Sequence, residues 1–239
     1  MKYVRSSTGS LVLSLAVILG AGSTTNSVAV MQPSEAVVHD LVGSASYNTG
    51  GTWQPLKKDM RLSHGAIIRT DADSTVDLLL HSSLTALRLT PNSSVRLDKL
   101  NREAGFDTEL TETTLTLLTG SIAGTQRKLA APSRFQINVA DEVITIIGTE
   151  YYVRADGAVT VVSGAVSINY NLPRGGGSVK VTVAAGFTFD PATGQVVPTT
   201  PEYLQNILAH ITTTKQNAEV FKAGGATLVV KPERYISPH

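Results

Sequence analysis

The residues with the clearest capacity for chemistry are the five histidines, which are spread over the whole sequence. A zinc site needs ligands at short spacing on one element, as in His-Glu-x-x-His. No two histidines have such a spacing, and the motif does not occur. We therefore expect surface or strand-end histidines, and no metal, at His39, His64, His81, His210 and His239.

Carboxylates form two groups that suggest cation binding or acid–base catalysis. Asp71, Asp73 and Asp77 resemble the start of a calcium loop, but the turn glycine and the later bidentate glutamate are missing, so a solvated turn is favoured. Asp141 and Glu142 are adjacent, and neighbouring residues of a strand point to opposite faces. Each would need a second carboxylate from elsewhere in the fold to serve a hydrolase.

Other nucleophiles and cofactor motifs are missing. The chain has no cysteine, which excludes disulfides, thiolate metal sites and a cysteine nucleophile. It has no G-x-S-x-G elbow, although a Ser/His/Asp triad assembles across a fold without one. The run RGGG at 174–177 lacks the Lys-Ser/Thr of a phosphate loop and precedes a strand, so it is predicted to be a flexible turn. We predict no catalytic site and no cofactor.

The elements that position these residues are predicted to be strands. The chain has 25 valines, 12 isoleucines and 28 threonines, and β-branched residues fit the pleated surface of a sheet. Charged residues make up only 16% of it, with 20 Lys and Arg against 19 Asp and Glu. This balance shows neither the basic excess of a nucleic-acid-binding protein nor the acidic run of a disordered tail.

The first 29 residues have the three parts of a secretory signal peptide. Lys2 and Arg5 precede the apolar run 11–19, and the small residues SVA at 27–29 follow it. The alternative, an uncleaved membrane anchor, needs about 20 apolar residues, and this run is shorter. We predict cleavage after residue 29, a periplasmic or secreted protein, and no stable membrane insertion after cleavage.

Alternating apolar residues predict many short strands between residues 36 and 198. The segments 135–139 and 162–172 place apolar residues at every second position, which predicts one strand each. The Asp-Gly pair at 156–157 predicts a hairpin between 144–154 and 159–163. Since no helix interrupts these strands, we predict an all-β antiparallel sandwich with a jelly-roll-like arrangement. A second hairpin is predicted at residues 190–194.

Three segments repeat a pattern of apolar residues, glycine and a small residue. They are LVGSAS at 41–46, LLTGSI at 117–122 and VVSGAV at 161–166. Their unequal intervals argue against a solenoid with a fixed repeat. We interpret each glycine as the point where a strand bends to turn a corner of the sandwich.

A change of pattern after residue 198 predicts a helix. Thr200 is a good N-cap and Pro201 suits the first turn, while Gly224 and Gly225 would end the helix. Residues 226–230 are predicted to form a final short strand. The chain thus divides into a signal peptide at 1–29, a β domain at 36–198 and a helical tail at 199–239. The apolar stripe expected to dock on the β domain consists of Leu204, Ile207, Leu208 and Ile211.

Several of these segments together resemble the FecR domain, a module of bacterial envelope proteins. The resemblance begins with LVGSASY at 41–47 and GTWQPLKKDMRLSHGAIIRTDADSTVDLLL at 51–80. It continues through LTPNSSVRLDKL at 89–100 and LTLLTGSIAG at 115–124, and is most specific in ITIIGTEYYVRADGAVTVVSGAVSI at 144–168. The matching positions, which the resemblance implies to be structural, include Trp53, Gly65, Arg69, Thr70, Gly120, Gly148, Thr149 and Gly164.

The sequence departs from the family pattern at a few positions. Ile147 stands where the family usually has arginine, Asp59 where glycine is frequent, and Tyr152 breaks the usual Phe-then-Val order. Well-known members lie behind a cytoplasmic anti-sigma segment and a membrane helix, neither of which occurs in this sequence. The resemblance therefore implies a β-sandwich and an envelope-facing module rather than the sensor role itself.

Three functions compete at this stage. The leading hypothesis is an exported, non-catalytic binding or structural module whose partner is a protein or polysaccharide of the cell envelope. The second is a periplasmic regulatory sensor that acts with a separate membrane or sigma-factor-linked partner, and the third is an envelope glycan hydrolase using Asp141 or Glu142.

Loops at the sandwich ends are the expected binding surface: 47–54, with Tyr47 and Trp53, and 171–178. Trp53 could stack on a ligand there, but a lone tryptophan in a β domain more often fills the core or a corner, and that role is preferred.

Overall fold

The structure is a computed structural model that describes residues 31–103, 110–172 and 176–223. Strands occupy most of this part of the chain. They are β1 Met31–Pro33, β2 Ala36–Val42, β3 Ala45–Asn48, β4 Gln54–Pro55, β5 Arg61–Leu62, β6 Ile67–Thr70, β7 Thr75–Leu80, β8 Thr85–Leu89, β9 Ser94–Glu103, β10 Thr111–Thr119, β11 Ser121–Gln126, β12 Arg134–Val139, β13 Glu142–Ile146, β14 Glu150–Arg154, β15 Val159–Ser163, β16 Ala165–Asn171, β17 Ser178–Ala184, β18 Phe187–Asp190 and β19 Gln195–Pro198.

These strands form two sheets, which confirms the all-β sandwich. The front sheet has ten strands in the order β17-β16-β13-β12-β10-β9-β6-β3-β4, with β1 paired to β9. The back sheet has nine, in the order β19-β18-β15-β14-β11-β8-β7-β2-β5. Apart from β1, β4 and β5, both sheets follow the order of the chain from one end to the other. All pairs are antiparallel except β10 with β12.

The core lies between the two sheets and follows the predicted alternation. Phe135, Ile137 and Val139 of β12 are fully buried, and their neighbours on the strand are exposed or half-buried. β7 differs, because Asp77 and Leu79, which point away from the core, are buried as well. A strand covered on both faces loses the alternation of a half-exposed strand.

The three predicted glycine corners, at Gly43, Gly120 and Gly164, are confirmed, and Gly148 forms a fourth corner that was expected to lie within a strand. The chain passes from one sheet to the other at Gly43, Gly120, Gly148 and Gly164, and all four have a positive φ of +70 to +82°. These crossings correct two predictions. The run 162–172 is two strands, β15 in the back sheet and β16 in the front sheet. Residues 142–146 pair with β12 and β16, so the Asp-Gly hairpin joins only β14 and β15.

Corners of the two sheets pack against each other in pairs. A Cβ on Gly120 would lie 2.6 Å from the Cα of Ser93, and one on Gly43 would lie 3.1 Å from the Cα of Ser74. In both places the serine Oγ accepts a hydrogen bond, 2.9 Å long, from the N–H of the residue after the glycine. Since no side chain fits between the two turns, glycine is required for close approach as well as for φ.

One long helix follows β19 and packs on the outer surface of the back sheet. Helix α1 spans Pro201–Ala218, and the Oγ1 of Thr200 caps it by accepting from the N–H of Tyr203 at 3.3 Å. Its contacts are with β7, β8, β11 and β14. The predicted stripe is only partly right, because Leu204 and Leu208 are half-buried. The buried residues of α1 are Ile207, Ile211, Thr214 and Ala218.

The helical part ends with a second short helix. α1 ends at Ala218, before the predicted stop, and α2 spans Val220–Ala223. In the described part of the chain, neither helix is long and apolar enough to cross a membrane. The predicted signal peptide at 1–29, the glycine stop at 224–225 and the strand at 226–230 lie outside the described residues.

Candidate functional site

The two carboxylates proposed for acid–base chemistry are not arranged as a catalytic pair. Glu142 is buried beside Gly157 and Pro191, and its Oε2 has no hydrogen-bond partner. Burial raises the pKa of Glu142 to about 7, and no neighbouring charge contributes to the shift. A second carboxylate nearby would add its own effect. Asp141 is exposed, so the geometry of a two-carboxylate hydrolase is not present at this pair.

The other candidate groups are also separated. Asp77 is engaged by Arg88 through two hydrogen bonds of 2.6 Å, from Nε and from Nη2, while Asp71 and Asp73 are exposed. Among the described residues, no three His, Asp or Glu side chains are close enough to hold a metal ion. Of the histidines, His239 lies outside the described part. His39 is in β2, His64 and His81 are in turns, and His210 is in α1.

A polar network fills the contact between α1 and the back sheet. The Nη1 of Arg88 donates to the Oγ1 of Thr213 at 3.2 Å, and the hydroxyls of Thr125 and Thr214 lie 2.8 Å apart. Lys215 forms an ion pair of 3.0 Å with Glu150. Polar contacts therefore stabilise the packing of α1 on the back sheet together with its buried apolar residues.

His210 faces the same network. Its ring stacks on that of Tyr152 with centroids 6.3 Å apart, and the hydroxyl of Tyr152 lies 2.6 Å from the Oγ of Ser121. Burial, followed by the positive charge of Arg88, lowers the pKa of His210 below its usual value, while Asp77 opposes the shift. The sequence carried no signal for this contact, because Tyr152 and His210 are far apart along the chain.

Trp53 lies on the surface rather than in the core, which corrects the preferred role. Its side chain is 40% exposed, and the guanidinium carbon of Arg69 lies 4.2 Å from the ring centroid. The Nε of Arg69 also donates to the Oγ of Ser46 at 2.8 Å. Arg69 is therefore held between a strand neighbour and the aromatic ring, in a cation–π contact.

Tyr47 and Gln54 lie on the other side of the sheet from this contact, because Tyr47 pairs with the buried Ile68 and packs against the core. Tyr47 is half-buried, and its hydroxyl donates to the Oε1 of Gln54 at 2.9 Å. The loop between them is fixed by Asn48, whose Oδ1 accepts from the N–H groups of Gly50 and Gly51 at 2.6 and 3.1 Å. We call the exposed pair of Trp53 and Arg69 the Trp53 patch.

An open groove of about 610 Å³ lies where α1 begins, on the outer side of the back sheet. Thr188 and Val197 are paired across β18 and β19 and line it, with Tyr203 from α1. Arg154, paired with Asp156 and hydrogen-bonded to Tyr203, forms another wall. Sequence reasoning missed this groove because two segments that are distant in the chain, 154–158 and 188–203, build it together.

The residues that carried the family resemblance lie mostly at turns and corners. Thr70 is buried, and its Oγ1 donates to the carbonyl of Thr90 at 2.6 Å and accepts from the N–H of Ser93 at 2.9 Å. The Oγ1 of Thr149 donates to the carbonyl of Ala165 at 2.8 Å, beside two glycine corners. Gly65 has a φ of +85° and donates to the carbonyl of Leu97.

A two-sheet β-sandwich with paired glycine corners is therefore the class of domain that this chain forms. The family model "FecR protein" matches residues 66–167, which confirms the resemblance over this stretch of the chain. It contains Gly120, Gly148 and Gly164, whereas Trp53 and α1 lie outside it. No curated protein matches the chain.

Two crystal structures resemble the fold more distantly. Both are of a candidate anti-sigma factor from Parabacteroides distasonis ATCC 8503, at 2.50 and 1.65 Å resolution, and both are 12% identical to this chain. Each similarity covers 59% of this chain and 63% or 62% of the other, with TM-scores of 0.43 and 0.41. The matched part is less than two thirds of those chains, and likeness at these scores supports no conclusion about function.

Proposed function

We propose that this chain is an exported, non-catalytic module that binds a protein or polysaccharide of the cell envelope through the Trp53 patch. The observation that carries the proposal is an exposed tryptophan beside an arginine that is already held in place. Tryptophan, tyrosine and arginine are the residue types that dominate binding energy at interfaces. A planar sugar face or a peptide side chain is the matching ligand.

Preorganisation supports this role. Arg69 is fixed by Ser46 and by the ring of Trp53, and the loop that carries Trp53 is fixed by Asn48. A partner therefore orders few additional side chains when it binds, and less conformational entropy is lost.

The separation of Asp141 from Glu142 in exposure and environment supports binding rather than turnover at this pair. Glu142, the described carboxyl with the most perturbed pKa, has no hydrogen-bond partner on Oε2. Catalytic sites bring several such groups together in one pocket. Export rests on the basic, apolar and small-residue segments of residues 1–29.

The binding test uses the protein lacking residues 1–29. We would measure its retention by purified envelope glycans and by immobilised envelope proteins, beside Trp53→Ala and Arg69→Ala. Both substitutions should weaken binding at least tenfold. Ile147→Ala is the matched control, since Ile147 is an exposed apolar side chain, at 53%, directly after β13, which is four strands away from β6 in the front sheet. Equal binding by all four proteins would reject the Trp53 patch.

A turnover test separates binding from catalysis. The same glycans are incubated with the protein and analysed for released fragments. The proposal expects none. Release that disappears in Glu142→Gln would establish the hydrolase instead.

The FecR match favours a second candidate, a regulatory sensor with a separate membrane or sigma-factor-linked partner. Under this hypothesis the partner is a signalling protein, so the Trp53 patch would control transcription. Transcript profiles of cells lacking the protein, complemented with wild type or with Trp53→Ala, test it. A defined set of genes that responds to deletion and to Trp53→Ala supports the sensor, and unchanged transcripts argue against it.

A further inference from the structure

One end of the sandwich is closed by a segment of the chain itself. Residues 54–62, the closing segment, run from the front sheet to the back sheet. β4 pairs with β3, and β5 pairs with β2, so the segment is hydrogen-bonded to the last strand of each sheet. Its two leucines, Leu56 and Leu62, enter between the sheets and are only 5% and 3% exposed.

Backbone hydrogen bonds hold the closing segment along its length. The N–H of Leu56 donates to the carbonyl of Ala45 at 2.9 Å. Val38 donates to the carbonyl of Met60 at 2.9 Å and accepts from the N–H of Asp59 at 2.8 Å. Closure at this end therefore combines strand pairing with buried aliphatic side chains.

At the opposite end of the sandwich, the space between the two sheets is not closed by a comparable described segment. Within the described ranges, β17 and β19 are the last strands of their sheets, and each pairs on one side only. Leu172, Val179 and Phe187 point inward, since Val179 pairs with the buried Tyr170 and Phe187 with the buried Val161. Even so, these three side chains are 36%, 41% and 38% exposed. We call this region the open end.

No described element covers the open end. α1 packs on β7, β8, β11 and β14, on the outer side of the back sheet. Only Val183, at the other end of β17, is fully buried by the facing sheet. Exposed core-facing residues beside an unpaired edge mark a surface for a partner.

The edge of β17 has unused hydrogen-bonding groups at alternate residues. At the two ends of the β16–β17 hairpin, Leu172 donates to Gly177 at 2.8 Å and Ala185 donates to Gly164 at 3.1 Å. Hydrogen-bonded pairs alternate in an antiparallel ladder, so Val179, Val181 and Val183 bond to β16. The backbone groups that point away from the sheet belong to Ser178, Lys180, Thr182 and Ala184.

We propose that the open end binds an extended segment of another protein, which pairs with β17 and inserts aliphatic side chains between the sheets. Adding a strand to a sheet edge is an established mode of peptide recognition. The closing segment shows the chemistry of a suitable occupant, because it is extended and carries two buried leucines. The open end thus takes an aliphatic strand, and it is separate from the Trp53 patch.

Charge distinguishes this occupant from a second copy of the chain. Lys180 is the only charged residue of β17. Antiparallel pairing of two β17 strands around Val181 would bring two lysines to diagonal positions, where like charges repel. A carboxylate in the incoming strand faces Lys180 favourably, so the partner segment is aliphatic with an acidic residue.

The test uses the full exported protein and two synthetic seven-residue peptides. One alternates valine and threonine around a central glutamate, and the other has lysine in place of the glutamate. Fluorescence anisotropy with labelled peptides gives their dissociation constants. We expect the glutamate peptide to bind at least tenfold more tightly, and Lys180→Glu to reverse the preference.

Two variants distinguish strand pairing from non-specific hydrophobic binding of the peptide. Thr182→Pro removes an N–H that points away from β16 and should lower affinity at least tenfold, whereas Thr182→Ala should leave it unchanged. Trp53→Ala should also leave it unchanged, which keeps this result independent of the proposed function. Equal binding by Thr182→Pro, binding only after removal of residues 224–239, or self-association through β17 would each overturn the proposal. Circular dichroism of Thr182→Pro verifies that its fold is retained.

Discussion

The two outer faces of the sandwich have similar polar residues and opposite environments. On the back sheet, α1 covers the surface, and Asp77, Leu79 and Ala86 are nearly inaccessible. On the front sheet, no described element covers the surface, and Gln136 and Asn138 remain half-buried. Replacing an outward-facing polar side chain should therefore change the free energy of unfolding more on the back sheet than on the front sheet. The difference arises because α1 excludes water from the surface of the back sheet.

The same contrast holds for two Asp–Arg pairs. Asp77 and Arg88 lie under α1 with side chains 3% and 15% exposed, whereas Arg96 and Asp98 on the front sheet are 44% and 22% exposed. Breaking a buried pair leaves an uncompensated charge, while an exposed pair is screened by water. The chain thus contains its own matched control for the effect of cover.

Removing the cover tests the comparison most severely. A chain ending at Pro198 loses the buried Ile207 and Ile211, each worth about 1.5–3 kcal/mol, so the free energy of unfolding should fall by about 3–6 kcal/mol. Urea unfolding measures the loss, and size-exclusion chromatography should show aggregation. A chain ending at Ala223 is the control. Unchanged stability of the shorter chain would mean that α1 is an independent appendage.

Asp77→Asn against Asp98→Asn measures cover directly. Asp77→Asn should lower the free energy of unfolding by about 3 kcal/mol, because it leaves the charge of Arg88 buried without its partner. Asp98→Asn should change it by less than about 1 kcal/mol. Urea unfolding of both variants provides the numbers. Similar losses would show that the helix does not shield its pair.

The cost of replacing a glycine should depend on how closely its turn is packed. Gly120, at a packed corner, can be compared with Gly65, at an open turn. Both have a positive φ, but a Cβ on Gly120 would lie 2.6 Å from the Cα of Ser93, while one on Gly65 has no neighbour within 4 Å. Gly65→Ala should cost about 1 kcal/mol through φ alone. Gly120→Ala should cost about 1–3 kcal/mol more through overpacking. Equal melting temperatures would contradict the packed corner.

Glu142, between the two sheets, should give a pH dependence of its own. Its folded pKa of about 7 lies above the usual 4.5, so its contribution to stability is fully present below pH 4.5 and is lost as the pH rises through 7. Glu142→Gln should remove this fall in thermal midpoint, and the exposed Asp141→Asn should retain it. A slope that survives in Glu142→Gln would assign the titration to another group.

His210, on the face covered by α1, should give a smaller pH dependence of stability, in the opposite direction to that of Glu142. Its folded pKa lies below 6.5, so on acidification the unfolded chain takes up the proton first and stability falls below pH 6.5. From the sheet, the charge of Arg88 adds to this lowering of the pKa, and the charge of Asp77 opposes it. His210→Asn should flatten this acid limb in thermal melts. An identical limb in the variant would mean that the histidine titrates as in water.

Much of the fold could be predicted because alternation and turn residues are local signals. Three of the corner glycines and the hairpin at 190–194 follow from such signals. A period of two reports which side of a strand is apolar, but not which sheet the strand belongs to. For that reason the runs 144–154 and 162–172 were predicted to lie in one sheet, although each crosses at a glycine.

The candidate site was less predictable because distant segments form it. Trp53 lies on the surface, where Arg69 of β6 contacts one face of its ring. The docked face of α1 turned out to include Thr214, since Thr125 on the sheet supplies a hydroxyl partner. A hydrophobic pattern cannot show a polar contact whose partner is 89 residues away.

The order of strands within the sheets has a consequence for how the chain folds. Except for β1, strands pair with others nearby in the sequence, and Ala36 with Leu80 is among the widest of these pairings. Short separations favour rapid folding, because little loop entropy is lost before a contact forms. A polypeptide that is synthesised from its N-terminus can therefore add strands to both sheets in order, before its C-terminal part is available. The helix arrives last and covers a surface that is already built.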